Sequence, residues 1–491
     1  MNPDADAERG ILAAGVYVPR ARLPAETVAD AWGSFEGRGI DTTAVPAGDE
    51  DAVTMGVAAA ERAFEANTAT GTSPDSPDSA SVAPDEVGTL AFATTTPPLE
   101  EEQLGPRLVR ALGLPDSCRT WEHGGSTAAG ADAIQTALDA DGPALAVVAD
   151  APEGDPAGEG HAFGAGAAAF LVADDALVPC EAVAAATDES PGIRFRERGA
   201  TDLDSLDVTG YERAATRETT RRAIADLDVD PDEIRAAAVH QPNGSMPSRI
   251  ADGDVVPADA VSAGLVADRV GDAGAATVPM GLVEALSTPG DGPVLAAFFG
   301  SGGSAVAFSF AGELDAVAGT DFDDGVAVEY AESLRKRGRL GDGEVAGGGA
   351  NVSLPNWRRT LDARYALTAG RCPECGTLSF PGEGACGGCH ERVEYERVSL
   401  SREGTVEART VIGQGGAPPE FVALQRREGD YAAVLVRLPA SEADGSVVLP
   451  AQVTDCDPDA VEVGDSVRRT VRRIYDQEGV PRYGAKFKPT G

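Results

Sequence analysis

The chain has 491 residues, and its 80 acidic side chains outnumber 40 basic ones for a net charge of −40. Lysine occurs only at 336, 486 and 488, so arginine carries the remaining positive charge. An acidic surface almost without lysine suits a salt-rich, halophilic cytoplasm and repels nucleic-acid phosphates, and no apolar run is long enough to span a membrane.

Met1 to Gly10 is polar and acidic and is not expected to act as a signal peptide. Gly10 to Arg20 reads as a buried strand, Pro24 to Trp32 as a short helix, and Asp49 to Ala66 as an amphipathic helix with an acidic start. Residues 67–84 have almost nothing to bury and are expected to form a disordered loop. Val87 to Thr94 reads as a strand and Glu102 to Leu112 as a helix. Thr120 to Gly130 then breaks at two glycines and runs into a helix over Thr127 to Leu138. His123 should therefore lie where a strand hands over to a helix N-terminus, a position suited to a nucleophile or an oxyanion. Ala144 to Ala149 and Gly164 to Ala173 are further strands, with Cys180 expected in a surface turn beyond them.

The second half repeats this order. Tyr211 to Asp226 reads as a helix, Arg235 to His240 and Leu265 to Gly271 as strands, Val278 to Leu286 as a helix, and Val294 to Phe310 as two strands about a glycine-serine turn. Strands alternating with helices in two similar halves, about 1–175 and 176–340, predict a duplicated, layered α/β fold.

Several pieces in this order resemble the thiolase superfamily, and most closely the archaeal type of 3-hydroxy-3-methylglutaryl-CoA (HMG-CoA) synthase. They are Gly10-Ile11-Leu12, Asp49-Glu50-Asp51, Gly164-Ala165-Gly166-Ala167, His240-Gln241-Pro242-Asn243-Gly244, Pro279-Met280-Gly281 and Gly300-Ser301-Gly302. The resemblance implies an αβαβα fold, a homodimer, a mevalonate or isoprenoid context, and an acyltransferase that condenses CoA thioesters. Such an enzyme uses a cysteine to hold the acetyl group, a glutamate to handle protons, and a histidine with an asparagine to organise the acceptor oxygen. The histidine falls on His240. The cysteine position falls on His123, the asparagine on Asp272 and the glutamate on Thr95. Cys118 lies about 16 Å of extended chain from His123 and should sit at the strand's other end. Asn243, Gly300, Ser301 and Gly302 are candidate substrate contacts.

Past residue 340, glycines at 341, 343 and 347–349 suggest a hinge, and Val352 to Gly370 reads as a helix whose Trp357 and Tyr365 need a surface to bury against. Cys372, Cys375, Cys386 and Cys389 form two CxxC knuckles ten residues apart, the pattern of a closed structural Zn2+ site; iron or a redox pair are the alternatives, and His390 is a bystander. Short strands are expected over 404–412, 421–425, 432–438, 447–453 and 466–475, enough for a small OB-type barrel. These features resemble the rubredoxin-like zinc-ribbon and OB-fold module that accompanies thiolases and HMG-CoA synthases. The segments are 341–370 (hinge and docking helix), 371–397 (ribbon) and 398–491 (barrel).

Arg468, Arg469, Arg472 and Arg473, with Arg482, Lys486 and Lys488, are the one basic cluster. They read either as solvated edge-strand charges or as partners for CoA phosphates, and the latter is favoured over nucleic acid because few aromatics interleave. The sequence thus points to an acyl-CoA-binding protein that docks on a thiolase and has His123, His240 and Asp272 at its site. A condensing acyltransferase with an unrecognised nucleophile is the rival reading, and an OB-based nucleic-acid binder is a third.

Overall fold

The computed structural model describes residues 9–70, 81–206, 210–340, 353–441 and 444–490. Residues 71–80 of the expected loop and the glycine hinge over 341–352 lie outside the described residues. The chain divides into two units, Met1–Pro46 with Asp51–Leu334, and Ala47–Glu50 with Arg335–Gly491.

In the first unit, β1 (Gly10–Tyr17) is buried along its whole length, as a strand covered on both faces must be. β2 (Ala21–Pro24), α1 (Ala25–Trp32), β3 (Thr42–Val45) and α2 (Ala52–Thr70) follow. Asp51 caps α2, accepting from the backbone N–H groups of Val53 and Thr54 while Thr54 Oγ1 accepts from the Asp51 backbone N–H, a reciprocal arrangement that satisfies three orphan donors. This helix continues through Asn67–Thr70, which had been expected in the loop. β4 (Thr89–Ala93), α3 (Gly105–Leu112), β5 (Arg119–His123), α4 (Ala129–Leu138), β6 (Ala144–Asp150) and β7 (Gly166–Ala173) complete the first half.

The second half opens with β8 (Val178–Ser190), a long strand paired with the last core strand of this unit, so Cys180 sits on a strand opposite Phe310 and not in a turn. It continues through α5 (Tyr211–Ala225), β9 (Ala236–Val239), α6 (Met246–Ile250), α7 (Ala258–Ser262), α8 (Ala267–Val270), α9 (Thr277–Leu286), β10 (Val294–Gly300) and β11 (Gly302–Phe310). Two short strands, β12 (Val317–Ala318) and β13 (Val326–Ala327), pair with β1 and β2.

The sheet order β5-β4-β6-β7-β1-β8-β11-β10-β9 shows the duplication directly. Counting strands within each half, the first reads 3-2-4-5-1 from its edge, and the second reads 2-4-5-1 from the opposite edge. The missing third strand of the second half is the segment Leu265 to Gly271, which forms α8 instead. The Gln241 side chain accounts for this: its carbonyl accepts from the N–H groups of Val266 and Ala267 at 2.9 and 3.0 Å, and its amide donates to Gly264 O. Those N–H groups would otherwise seek a neighbouring strand.

α2 packs on β1, β6 and β7, and α5 on β8, β10 and β11, while α4 and α9 touch strands of both halves. The result is the expected αβαβα layering. Gly130 on α4 permits the central contact, because a Cβ there would lie 2.9 Å from Ala275 O. At the β10–β11 turn Gly303 has φ +100°, and a Cβ would meet Asp188 O at 1.6 Å, so only glycine fits.

In the second unit, α10 (Tyr330–Lys336) spans the division point, and the expected single helix is two, α11 (Leu354–Arg359) and α12 (Leu361–Ala366), broken at Thr360. Trp357 and Tyr365 are buried within this unit, with the Arg364 and Arg482 guanidiniums 4.4 and 5.0 Å from the Trp357 ring. β14 (Thr368–Arg371), β15 (Leu378–Ser379) and β16 (Glu396–Ser399) form a small sheet. β17 (Glu403–Ile412), α13 (Val422–Glu428), β18 (Tyr431–Pro439), β19 (Ser446–Val453), β20 (Ser466–Gln477) and β21 (Val480–Pro489) follow, and the strands close a barrel in the order β17-β18-β19-β21-β20. Residues 421–425, expected as a strand, belong to a turn and α13. The fifth barrel strand is β21, in which Tyr483 and Phe487 are buried.

Candidate functional site

His240 follows β9, and its ring packs against Phe299 with centres 5.5 Å apart. Burial, and then the nearby charge of Arg194, pull its pKa down to about 3. The ring is therefore neutral near pH 7, with one nitrogen able to donate and one to accept. Among the described residues no hydrogen bond holds it.

Asp272 lies just past α8 and is 3% exposed. Its Oδ2 pairs with Arg194 Nη1, and its Oδ1 accepts from Gly274 N at 2.8 Å. Burial pushes this carboxyl above its ordinary range, with Arg194 and the Gly274 N–H acting against the rise. Arg194 comes from the loop after β8, and its guanidinium lies 5.2 Å from the centre of the Phe163 ring. Arg196, two residues along, donates through Nη1 to Thr95 O at 2.8 Å. The same loop thus sets one guanidinium on Asp272 and another on the Thr95 backbone.

Thr95, expected from the resemblance at the glutamate position, is held by Asp150 at the end of β6. The fully buried Asp150 carboxylate accepts from Thr94 Oγ1, Thr95 N, Thr96 N and Thr96 Oγ1 through Oδ1, at 2.9, 2.7, 3.0 and 2.8 Å. Its Oδ2 accepts from Thr95 Oγ1 at 2.7 Å and Ala275 N at 2.8 Å. A carboxylate with that many donors is a structural hub tying the β4 loop to the second half.

His123 is placed differently. It ends β5, and its Nε2 lies 2.9 Å from Thr136 Oγ1 on α4. Burial lowers its pKa, opposed by Asp132 on the same helix. Arg194 thus pairs with Asp272 and its charge is felt by His240, whereas the His123 ring is held by α4. Among the described residues no hydrogen bond or ion pair links His123 to that group.

The remaining candidates are equally specific. Asn243 Oδ1 accepts from Ser245 N, Ser245 Oγ and Met246 N at 3.0, 2.8 and 3.0 Å, which caps α6. Within the His240 to Gly244 motif, His240 faces the site while Gln241 and Asn243 fix the backbone around it. Gly300, Ser301 and Gly302 form the β10–β11 turn, which lies against the start of α4: Thr127 Oγ1 donates to Phe299 O at 2.6 Å, and a Cβ on Gly300 would meet Ser126 Oγ at 2.6 Å. Cys118 precedes β5, at the end away from His123, and burial raises its pKa. On β8, burial pushes the Cys180 thiol up to about 11.

The arginines expected to hold CoA phosphates point elsewhere. Arg472 is fully buried, with Nη2 at 2.9 Å from Glu50 Oε1 and 2.7 Å from Asp455 Oδ2. Lys486, 2% exposed, donates to Asp49 Oδ2 at 2.8 Å. Burial acts to raise the Asp49 pKa, but Lys486 and Arg472 outweigh it and hold this carboxyl low. Arg469 is buried and donates to Tyr365 O at 3.1 Å, and Arg473 Nη2 bonds Asp476. No phosphate can reach Arg472, whose charge is neutralised inside the second unit, and Arg469 is buried there at 4% exposure. Arg468 is only half-buried.

Cys372, Cys375, Cys386 and Cys389 bring their sulfurs within 4.8 Å of one another. Sγ separations of 3.7 Å (Cys372 to Cys389) and 3.5 Å (Cys375 to Cys386) match the roughly 3.8 Å edge of a tetrahedron with 2.3 Å metal–sulfur bonds. The donor set fits a metal ion. His390 lies outside it, exposed and with φ 63°.

The sequence does not single out Arg194, Arg196 or Asp150, and it presents Gln241 only as a member of its motif. The only cue for the arginines is their alternation about Phe195, and nothing marks Asp150 beyond an acid closing an apolar run.

No family model matches the chain. It is 30% identical over 318 residues to the hydroxymethylglutaryl-CoA synthase of Methanopyrus kandleri, covering 61% of this chain and 87% of that protein. It is 33% identical over 139 residues to a DUF35 domain-containing scaffold protein of Methanothermobacter thermautotrophicus, covering 28% of this chain and 96% of that protein. Among solved structures, an HMG-CoA synthase complexed with CoA matches with a TM-score of 0.58 at 16% identity, over 70% of this chain and 94% of the other. PksG, an HMG-CoA synthase from Bacillus subtilis, matches with a TM-score of 0.56 at 18% identity, over 68% and 89%.

Proposed function

Because the chain belongs to the hydroxymethylglutaryl-CoA synthase family and continues into a scaffold part of the DUF35 kind, we propose that it binds short acyl-CoA thioesters without forming an acyl-enzyme. The observation that carries this reading is the end of β5. His123, onto which the resemblance carries the acyl-holding cysteine, has its ring turned to Thr136, and the two cysteines of the first unit lie elsewhere with raised pKa values. A thiol held protonated is a poor nucleophile.

What the site retains suits recognition of a thioester. Neutral His240, the Arg194–Asp272 pair and the turn at Gly300 to Gly302 beside the start of α4 supply donors for a carbonyl oxygen. The four-cysteine site would be held by Zn2+, a structural ion that fixes the ribbon through all four thiolates and leaves no open position for chemistry. β5 is an edge strand with Trp121 46% exposed, which supports a homodimer formed along that edge. By the same reading the second unit docks a thiolase, so that a CoA ester passes between proteins.

Calorimetric titration of the full chain with acetyl-CoA in concentrated potassium chloride tests the binding. Saturable heat is expected; its absence removes the reading. The second reading, a condensing acyltransferase, rests on the family relationship, and release of free CoA from acetyl-CoA with acetoacetyl-CoA would favour it.

A further inference from the structure

Arg194 has a feature that the family's chemistry does not call for. Its Nη1 is spent on Asp272, but its Nη2 is buried and has no hydrogen-bond partner. Such an unmet donor is costly unless a ligand supplies the acceptor.

Three constraints fix where that acceptor must be. Asp272 holds the guanidinium by one nitrogen, the Phe163 ring lies against it, and His240 is close enough for its titration to feel the charge. The resemblance puts Asp272 among the acyl-site residues, so the guanidinium that it grips, with its unpartnered Nη2, belongs to that site. A guanidinium already gripped by one carboxylate keeps a rigid, correctly oriented N–H for a second oxygen, and an anionic oxygen makes the stronger, charge-assisted bond. Nearby acids cannot fill this role: Asp150 is saturated by donors from Thr94 to Thr96 and Ala275.

We propose that Arg194 selects CoA thioesters whose acyl group ends in a free carboxylate, with Nη2 as the donor to that carboxylate. This rests on the acyl-CoA pocket proposed above and names its ligand class. Asp272 is then a positioning residue, which takes over the place of an oxyanion-organising amide to orient the guanidinium.

The test compares malonyl-CoA with acetyl-CoA, which differ by one carboxylate, and with malonamyl-CoA, the uncharged amide of nearly the same shape. On the wild-type full chain, malonyl-CoA should bind at least about tenfold more tightly than either, the worth of one charge-assisted bond of roughly 1.4 kcal/mol. The paired variant Arg194→Gln with Asp272→Asn leaves no unpaired charge behind and should erase the preference for malonyl-CoA over the other two esters, whatever loss of affinity the three share. Equal affinities for the three esters in the wild type overturn the proposal while leaving the pocket intact, and so does a preference that survives in a folded double variant. If none of the esters binds, the pocket itself is refuted. The amide comparison needs no variant and decides the question even where the double substitution fails to fold.

Discussion

Asp150→Asn tests whether the buried carboxylate at the end of β6 is a structural hub. Its two oxygens together receive three N–H groups and three hydroxyls. An asparagine has one oxygen and one NH2, and neither orientation suits the site. With the NH2 at the Oδ2 position it confronts Ala275 N–H; flipped, it confronts the N–H groups of Thr95 and Thr96. The hydroxyls can rotate to accept, but a backbone N–H cannot. The variant thus leaves at least one buried N–H unmet, about 1–3 kcal/mol, and weakens charge-assisted bonds worth about 1.5–3 kcal/mol each, for a combined loss of roughly 3–5 kcal/mol. Hydrogen exchange read by mass spectrometry localises the effect. Peptides spanning Thr94 to Thr96 and Ala273 to Thr277 should exchange more than about a hundredfold faster, with the barrel peptides unchanged. Exchange within about fivefold of wild type, equivalent to roughly 1 kcal/mol, would refute the assignment.

Two further perturbations have defined outcomes. His240 has a folded pKa of about 3 against an ordinary 6.5, so the unfolded chain takes up a proton that the folded one refuses. Its contribution is complete above pH 6.5 and is lost as pH falls toward 3. The loss reaches at most about 2 kcal/mol at pH 5; in denaturant titrations at pH 7 and 5, His240→Gln should remove that part of the acid destabilisation, and an unchanged acid limb would contradict it. Chelation should strip the metal from the four cysteines and lower the melting temperature of the second unit while sparing the first. Melting unaffected by metal removal would show that the ribbon stands without it.

Much of the fold is legible as apolar runs. β1, β6, β7 and β10 are nearly continuous hydrophobes because both of their faces are covered. Legibility fails where a distant side chain decides. Leu265 to Gly271 has the composition of a strand, and only Gln241, more than twenty positions upstream, turns it into α8. Asp49 and Glu50 look like the acidic start of a helix, yet they fold with the second unit because Arg472 and Lys486 neutralise them there. β21 escaped notice because its buried positions lie within a cluster of basic residues, which reads as surface charge until Lys486 is found buried. At the site, His240 stood out through its motif. Arg194 did not, because an arginine in an irregular loop carries no pattern and gains its meaning from Asp272 across the fold.

The central claim is that the first unit holds CoA esters without covalent chemistry. Incubating the full chain with acetyl-radiolabelled acetyl-CoA in concentrated salt, then splitting each sample between native filtration and acid precipitation, reads both halves of that claim. The account predicts label retained with the native protein and lost on acid denaturation. Label that stays with the acid-precipitated protein would contradict it, and mapping the labelled peptide would identify the nucleophile.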